Sequence, residues 1–152
     1  MKRIIHATLL LTAVVAFASC SKVAVVIDAP ATVVGSWVVT DASRQNAHSW
    51  YNISTGVENG VFHFYNDGSA EYVEQGARLQ GTWNYQTVYG GYYDASGKYY
   101  NGAHKVLSIN VSNYAGTDVI DMDLDVADLY SDSFVGTTYT NSYVDFYQFR
   151  RY

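Results

Sequence analysis

Beyond Thr32 the apolar residues of this chain recur at every second position. Leu79, Gly81, Trp83 and Tyr85 alternate with Gln80, Thr82, Asn84 and Gln86. Leu107, Ile109 and Val111 alternate with Ser108 and Asn110, and Ile120, Met122, Leu124 and Val126 alternate with Asp121, Asp123 and Asp125. Phe62 and Phe64 form a further apolar row, opposite His63 and Tyr65. A period of two is that of an extended strand with one buried and one solvated face, and it argues against amphipathic helices over the same residues.

Turn chemistry punctuates these rows. Asn66-Asp67-Gly68 separates Val61–Tyr65 from Ser69–Gln75, and an Asp-Gly pair between alternating runs is a strong hairpin signature. Gly76 to Arg78 leads into the Trp83 row, and Ala115-Gly116-Thr117 leads into the aspartate row. Only Ala127 to Phe134 reads as a short turn of helix. About eight strands, paired antiparallel with their chain neighbours, suit a sandwich or a barrel, and a meander closed on itself leaves no exposed edge. The expected fold is all-β: a small antiparallel up-and-down β-barrel of about eight strands, formed by residues 33–152.

The segment before the barrel has a different character. Lys2 and Arg3 precede an uncharged, largely apolar run from Ile4 to Phe17, followed by the small residues Ala18 and Ser19 and by Cys20, the one cysteine of the chain. Charge, apolar core and small-residue cut site is the order of a secretory signal, and the run is too short for a membrane span of about 20 residues. Phe17-Ala18-Ser19-Cys20 resembles the lipobox of bacterial lipoproteins, in which a peptidase cuts before a cysteine that becomes lipid-modified. The resemblance implies a signal peptide over 1–19, a lipidated Cys20, and a tether over 20–32. Within the tether, Val23 to Ile27 is apolar enough to serve as an extra edge strand.

Cleavage there removes Lys2 and Arg3 and leaves 7 basic against 14 acidic residues, a net charge of −7. Such a chain is not drawn electrostatically to nucleic acid or to anionic lipid. Membrane attachment then rests on acyl chains such as palmitate, and stable anchoring takes more than one chain. Ser21 and Lys22 lack the aspartate that in some bacteria retains lipoproteins at the inner membrane. The expected location is the outer membrane, facing the periplasm.

Four stretches carry a second resemblance: Val34-Gly35-Ser36-Trp37 at the first strand, Phe62-His63-Phe64 with Asp67-Gly68, Gly81-Thr82-Trp83, and the ending Tyr147-Gln148-Phe149-Arg150-Arg151-Tyr152. Together they resemble the lipocalin-like lipoproteins of Gram-negative bacteria, over most of residues 33–152. The resemblance implies that an arginine of the last strand covers the tryptophan of the first. Trp37 is that tryptophan; the arginine is Arg150 or Arg151, with Arg151 preferred because it shares parity with Phe149 and Tyr147.

The chain departs from that family at residues 89–102, a long loop rich in tyrosine and glycine. Tyr89, Tyr92, Tyr93, Tyr99 and Tyr100 offer flat apolar faces and hydroxyls, suited to a ligand, a protein or a glycan. The alternative is a long hairpin whose tyrosines pack on the barrel wall, since tyrosine, with 15 copies in the chain, also favours strands.

Catalytic chemistry is not evident. Asp121, Asp123, Asp125 and Asp132 match four positions of a calcium loop, but Val126 stands where the sharp turn wants glycine, so the aspartates read as the wet face of a strand. His48, His63 and His104 lack zinc-ligand spacing. Glu71 and Glu74 have opposite parity and face opposite ways. No enzyme activity, metal or cofactor is expected. The sequence leads to a membrane-anchored binding module for a small apolar or amphipathic ligand. The alternative is a solid barrel, filled by Trp37, Trp83, Phe62, Phe64, Tyr72 and Tyr85, whose tyrosine segment binds a protein or glycan partner.

Overall fold

The computed structural model describes residues 33–46, 49–140 and 142–152. Cys20, the expected signal peptide and tether, the Val23 to Ile27 edge-strand expectation and His48 lie outside the described residues. Among the described residues nine strands follow one another: β1 (Gly35–Gln45), β2 (Trp50–Asn52), β3 (Val61–Phe64), β4 (Ser69–Glu74), β5 (Ala77–Tyr93), β6 (Tyr99–Ser112), β7 (Val119–Leu129), β8 (Ser133–Thr140) and β9 (Tyr143–Arg151). Each of β3 to β9 pairs antiparallel with its chain neighbour, and β9 returns to pair with β1 from Trp37↔Arg151 to Gln45↔Val144. Eight strands thus close a ring. The short β2 lies outside it in sequence order, adding to β1 beyond the point where β3 leaves off. The fold is an all-β, up-and-down barrel.

Ala127 to Phe134 is not helical. Leu129 ends β7, a turn follows, and Ser133 begins β8, because Leu129 pairs with Phe134 across a tight hairpin. The β4–β5 connection is a two-residue turn with Gln75 at φ 47° and Gly76 at φ 87°. Two successive left-handed residues give the twist that antiparallel strands require.

The two ends of the barrel differ. One carries the β3–β4 and β7–β8 turns, the start of β1 and the end of β9. Its interior is filled by rings in contact: Trp37 edge-on to Phe134 at 4.9 Å, Phe134 stacked on Phe149 at 4.3 Å, Phe149 near Phe62 at 6.0 Å, and Phe64 against Trp83 at 5.4 Å. Trp37, Phe62 and Phe149 are wholly buried. The other end carries the β4–β5, β6–β7 and β8–β9 turns. There Ile120 and Met122 face inward but are only partly covered.

Candidate functional site

Barrel closure is built at the filled end. Arg151 lies over the Trp37 indole, its Cζ 4.3 Å from the ring centroid. Its Nη1 donates to the Val34 carbonyl at 2.6 Å and its Nε to the Ser131 carbonyl at 3.0 Å. The indole Nε1 donates to the Val33 carbonyl at 2.7 Å. Gly35 sits at φ +132°, and a Cβ there would collide with the Arg151 guanidinium. The glycine two residues before Trp37 therefore makes room for the arginine that covers it.

Of the two readings of residues 89–102, the structure shows the long hairpin and not the loop. These residues complete the β5–β6 ladder, Tyr89↔Ala103 through Tyr93↔Tyr99, and only Asp94 to Lys98 turn the chain. Asp94 caps that turn, its Oδ1 accepting from the Ser96 and Lys98 amides and the Ser96 hydroxyl. These hydrogen bonds, led by that of the Ser96 side chain, hold the Asp94 carboxyl below its usual range. The hairpin runs past the point where β4 and β7 stop pairing with it.

Its tip crosses the outside of the barrel. Thr137, Tyr139, Val144 and Phe146 alternate with the inward Gly136, Tyr147 and Phe149 and so face outward, yet Thr137, Val144 and Phe146 are buried. Thr137 Oγ1 donates to the Tyr93 carbonyl at 2.7 Å, and the Tyr93 ring stacks on Tyr139 at 5.0 Å. Gly97 lies so close to Gln45 that a Cβ there would collide with that side chain. Gln45, Val144 and Tyr139 form one row across β1, β9 and β8. The hairpin is thus a strap across the seam where the two ends of the chain pair. Trp50 of β2 covers Phe146 beside it, at 4.3 Å.

The five tyrosines divide accordingly. Tyr89 and Tyr99 are exposed, at 81% and 57%. Tyr100 is at the edge of exposure, with Lys98 Nζ 5.1 Å from its ring centroid. Tyr93 is committed to the strap contact. Tyr92 stacks on His104 at 4.5 Å, and His104 Nε2 lies 3.0 Å from Asp125 Oδ1. Burial pushes the Asp125 carboxyl up, against the pull of His104. Asp121 and Asp123 remain on the exposed face of β7. No group of three or more His, Cys, Asp or Glu side chains that could hold a metal occurs among the described residues.

The open end is concave. A hollow of about 410 Å³ is lined by Tyr72, Glu74, Gln75, Ala77, Leu79 and Asp118. A second, of about 250 Å³, is lined by Thr55, Val57, Val119, Ile120, Asp121, Met122 and Tyr147. A third, of about 220 Å³, opens where β7 and β8 part company, between Asp121–Leu124, Thr138, Thr140, Asp145 and Tyr147. The β2–β3 loop reaches this mouth because Glu58 folds it. The Glu58 carboxylate accepts from the Thr55 amide and hydroxyl and the Gly56 amide, and Val57 between them is buried. Partial burial opposes ionisation of Glu58, but these hydrogen bonds prevail and lower it.

No family model, curated protein or solved structure matches this chain.

Two features of the site have only a weak trace in the sequence. The Arg44–Asp145 pair, bidentate at 2.5 and 2.6 Å, joins residues 101 apart and closes the seam on the mouth side. The Glu58 loop carries a Thr-Gly-Val-Glu run whose capping role follows from local side-chain-to-backbone bonding.

Proposed function

We propose that this protein is a membrane-anchored, lipocalin-like lipoprotein whose barrel holds a small apolar or amphipathic ligand in its open mouth. The observation that carries this reading is the hollow of about 410 Å³ between Tyr72, Leu79 and Asp118, a size within the range of small-molecule sites. Apolar wall and a few polar groups at the rim are the usual composition of such sites. The filled half of the barrel supports a shallow ligand seated at one end, not one threaded through the interior.

In this reading lipid on Cys20 anchors the barrel, and Ser21 and Lys22, which lack the inner-membrane aspartate, favour the outer membrane, facing the periplasm. This part of the proposal rests on the Phe17-Ala18-Ser19-Cys20 stretch and on the charged and apolar segments before it. Replacing Cys20 by alanine and fractionating cells tests it: the variant is expected to leave the membrane fraction, and unchanged retention contradicts the anchor.

The binding function is tested with an apolar fluorescent probe such as N-phenyl-1-naphthylamine. Saturable enhancement at one site per chain is expected, lost when Ala77→Trp fills the hollow. Absence of saturable enhancement contradicts it. The exposed Tyr89 and Tyr99 on the strap favour a second reading, in which the hairpin contacts a protein or glycan partner.

A further inference from the structure

The mouth has a sign. Arg44, Arg78, Lys98, Lys105, Arg150 and Arg151 are the basic residues of the described chain, and none of them lines any of the three hollows. The ionisable groups lining them are instead carboxylates, apart from the phenols of Tyr72 and Tyr147, and of these carboxylates Asp145 at the third hollow is already paired with Arg44. In the largest hollow Glu74, at the end of β4, and Asp118, in the β6–β7 turn, converge from two separate turns on the wall formed by Ala77, Leu79 and the Tyr72 ring. Both carboxylates are held in position by neutral donors. Glu74 Oε2 accepts from the Tyr72 hydroxyl at 2.8 Å, and Asp118 Oδ2 accepts from Asn113 Nδ2 at 2.6 Å. Such donors orient a carboxylate without cancelling its charge.

The apolar hollow makes the site, and the charge of its rim sets what enters. A fatty acid or an anionic lipid head would meet two like-charged carboxylates with no lining cation to pair with. An ammonium group would meet two oriented acceptors, while its apolar body covered Leu79. We infer that the mouth selects apolar molecules carrying an amine or quaternary ammonium over fatty acids and anionic lipids. This inference rests on the mouth-binding reading proposed above.

The test uses the full-length protein, extracted from membranes into an amphipathic polymer. Titration calorimetry compares two probes of equal chain length, decyltrimethylammonium and decanoate, each kept below its micellar concentration. One site per chain is expected, with the cation bound at least about tenfold more tightly, a difference of about 1.4 kcal/mol. The preference should shrink towards parity in the Glu74→Gln, Asp118→Asn double variant. Should that variant fail to fold, added salt applied to the unaltered protein serves instead, and the preference should fall with ionic strength.

Decanoate bound equally or more tightly overturns the inference, as does a preference that survives both the charge changes and the salt. Cation binding undiminished by Ala77→Trp means adsorption to an acidic surface and also overturns it. Decanoate binding that Ala77→Trp abolishes leaves the mouth as a binding site while refuting its selectivity. Absence of binding by either probe refutes both.

Discussion

The guanidinium of Arg151 covers the indole of Trp37 at 4.3 Å and, with the same side chain, ties down the carbonyls of Val34 and Ser131. One residue of the last strand thereby fixes the first strand and the β7–β8 turn. Arg151→Ala should cost about 3.5–4 kcal/mol, the low end of the sum for a cation–π contact and two charge-assisted hydrogen bonds, since the side chain is only partly buried. Arg151→Lys should recover less than half of it, since an ammonium cannot serve both carbonyls from a planar fork. Urea unfolding midpoints read both values. An alanine variant as stable as the parent would mean that β1–β9 pairing alone closes the ring.

The strap makes a separate prediction. Thr137→Val removes the donor to the Tyr93 carbonyl with little change of shape and should cost about 1 kcal/mol. Amide exchange should then speed up in residues 87–93 and 99–104 more than in the rest of the barrel. Gly97→Ala should be worse than Thr137→Val, because a side chain at φ +78° strains the backbone and its methyl must also push the Gln45 amide aside. In a Gln45→Ala background the penalty should fall, leaving the backbone cost of φ +78°.

Glu58 ties the mouth to pH. Its folded-state pKa is lowered by the Thr55 and Gly56 donors, so it contributes stability above its unfolded value of about 4.3, and that contribution is lost as pH falls through its lower folded value. Asp125, raised by burial, works in the opposite sense and gains as pH falls. Glu58→Gln should therefore flatten the loss of stability below about pH 4.3 and leave the neutral-to-alkaline limb unchanged. Parallel unfolding curves of the two proteins at every acidic pH would contradict this.

The two ends of the barrel should answer differently to mutation. Phe134, buried between Trp37 and Phe149, should cost about 3–5 kcal/mol as Phe134→Ala. Ala77→Trp at the open mouth should leave the unfolding midpoint nearly unchanged while removing ligand binding, because space already exists there.

Much of the barrel is legible in the residues themselves. The rows Phe62/Phe64, Leu79/Gly81/Trp83/Tyr85 and Leu107/Ile109/Val111 turn their side chains inward as their alternation requires, and Asp67-Gly68 makes the expected hairpin. Tyr89 to Gly102 leaves loop and hairpin both open, because the Gly90-Gly91 pair and a lack of apolar alternation look like loop while the tyrosines favour strand. The strands persist there because they need no buried face of their own: the tip packs instead on β8 and β1. For the same reason Thr137, Val144 and Phe146 are buried on the face that alternation assigns to solvent. Gln75-Gly76 carries no strong turn signature, yet Gln75 accepts a positive φ to close β4 onto β5. The mouth was not legible, since it is assembled from the β2–β3 loop, two turns and the parting of β7 from β8, which no local pattern announces.

The most direct measurement is native mass spectrometry of the barrel purified from the cells that make it, freed of the lipid proposed on Cys20. A stoichiometric adduct of a few hundred daltons is expected, lost in the Ala77→Trp variant. A clean mass without adduct, together with no stabilisation by small apolar or amphipathic molecules, would contradict a ligand-binding mouth.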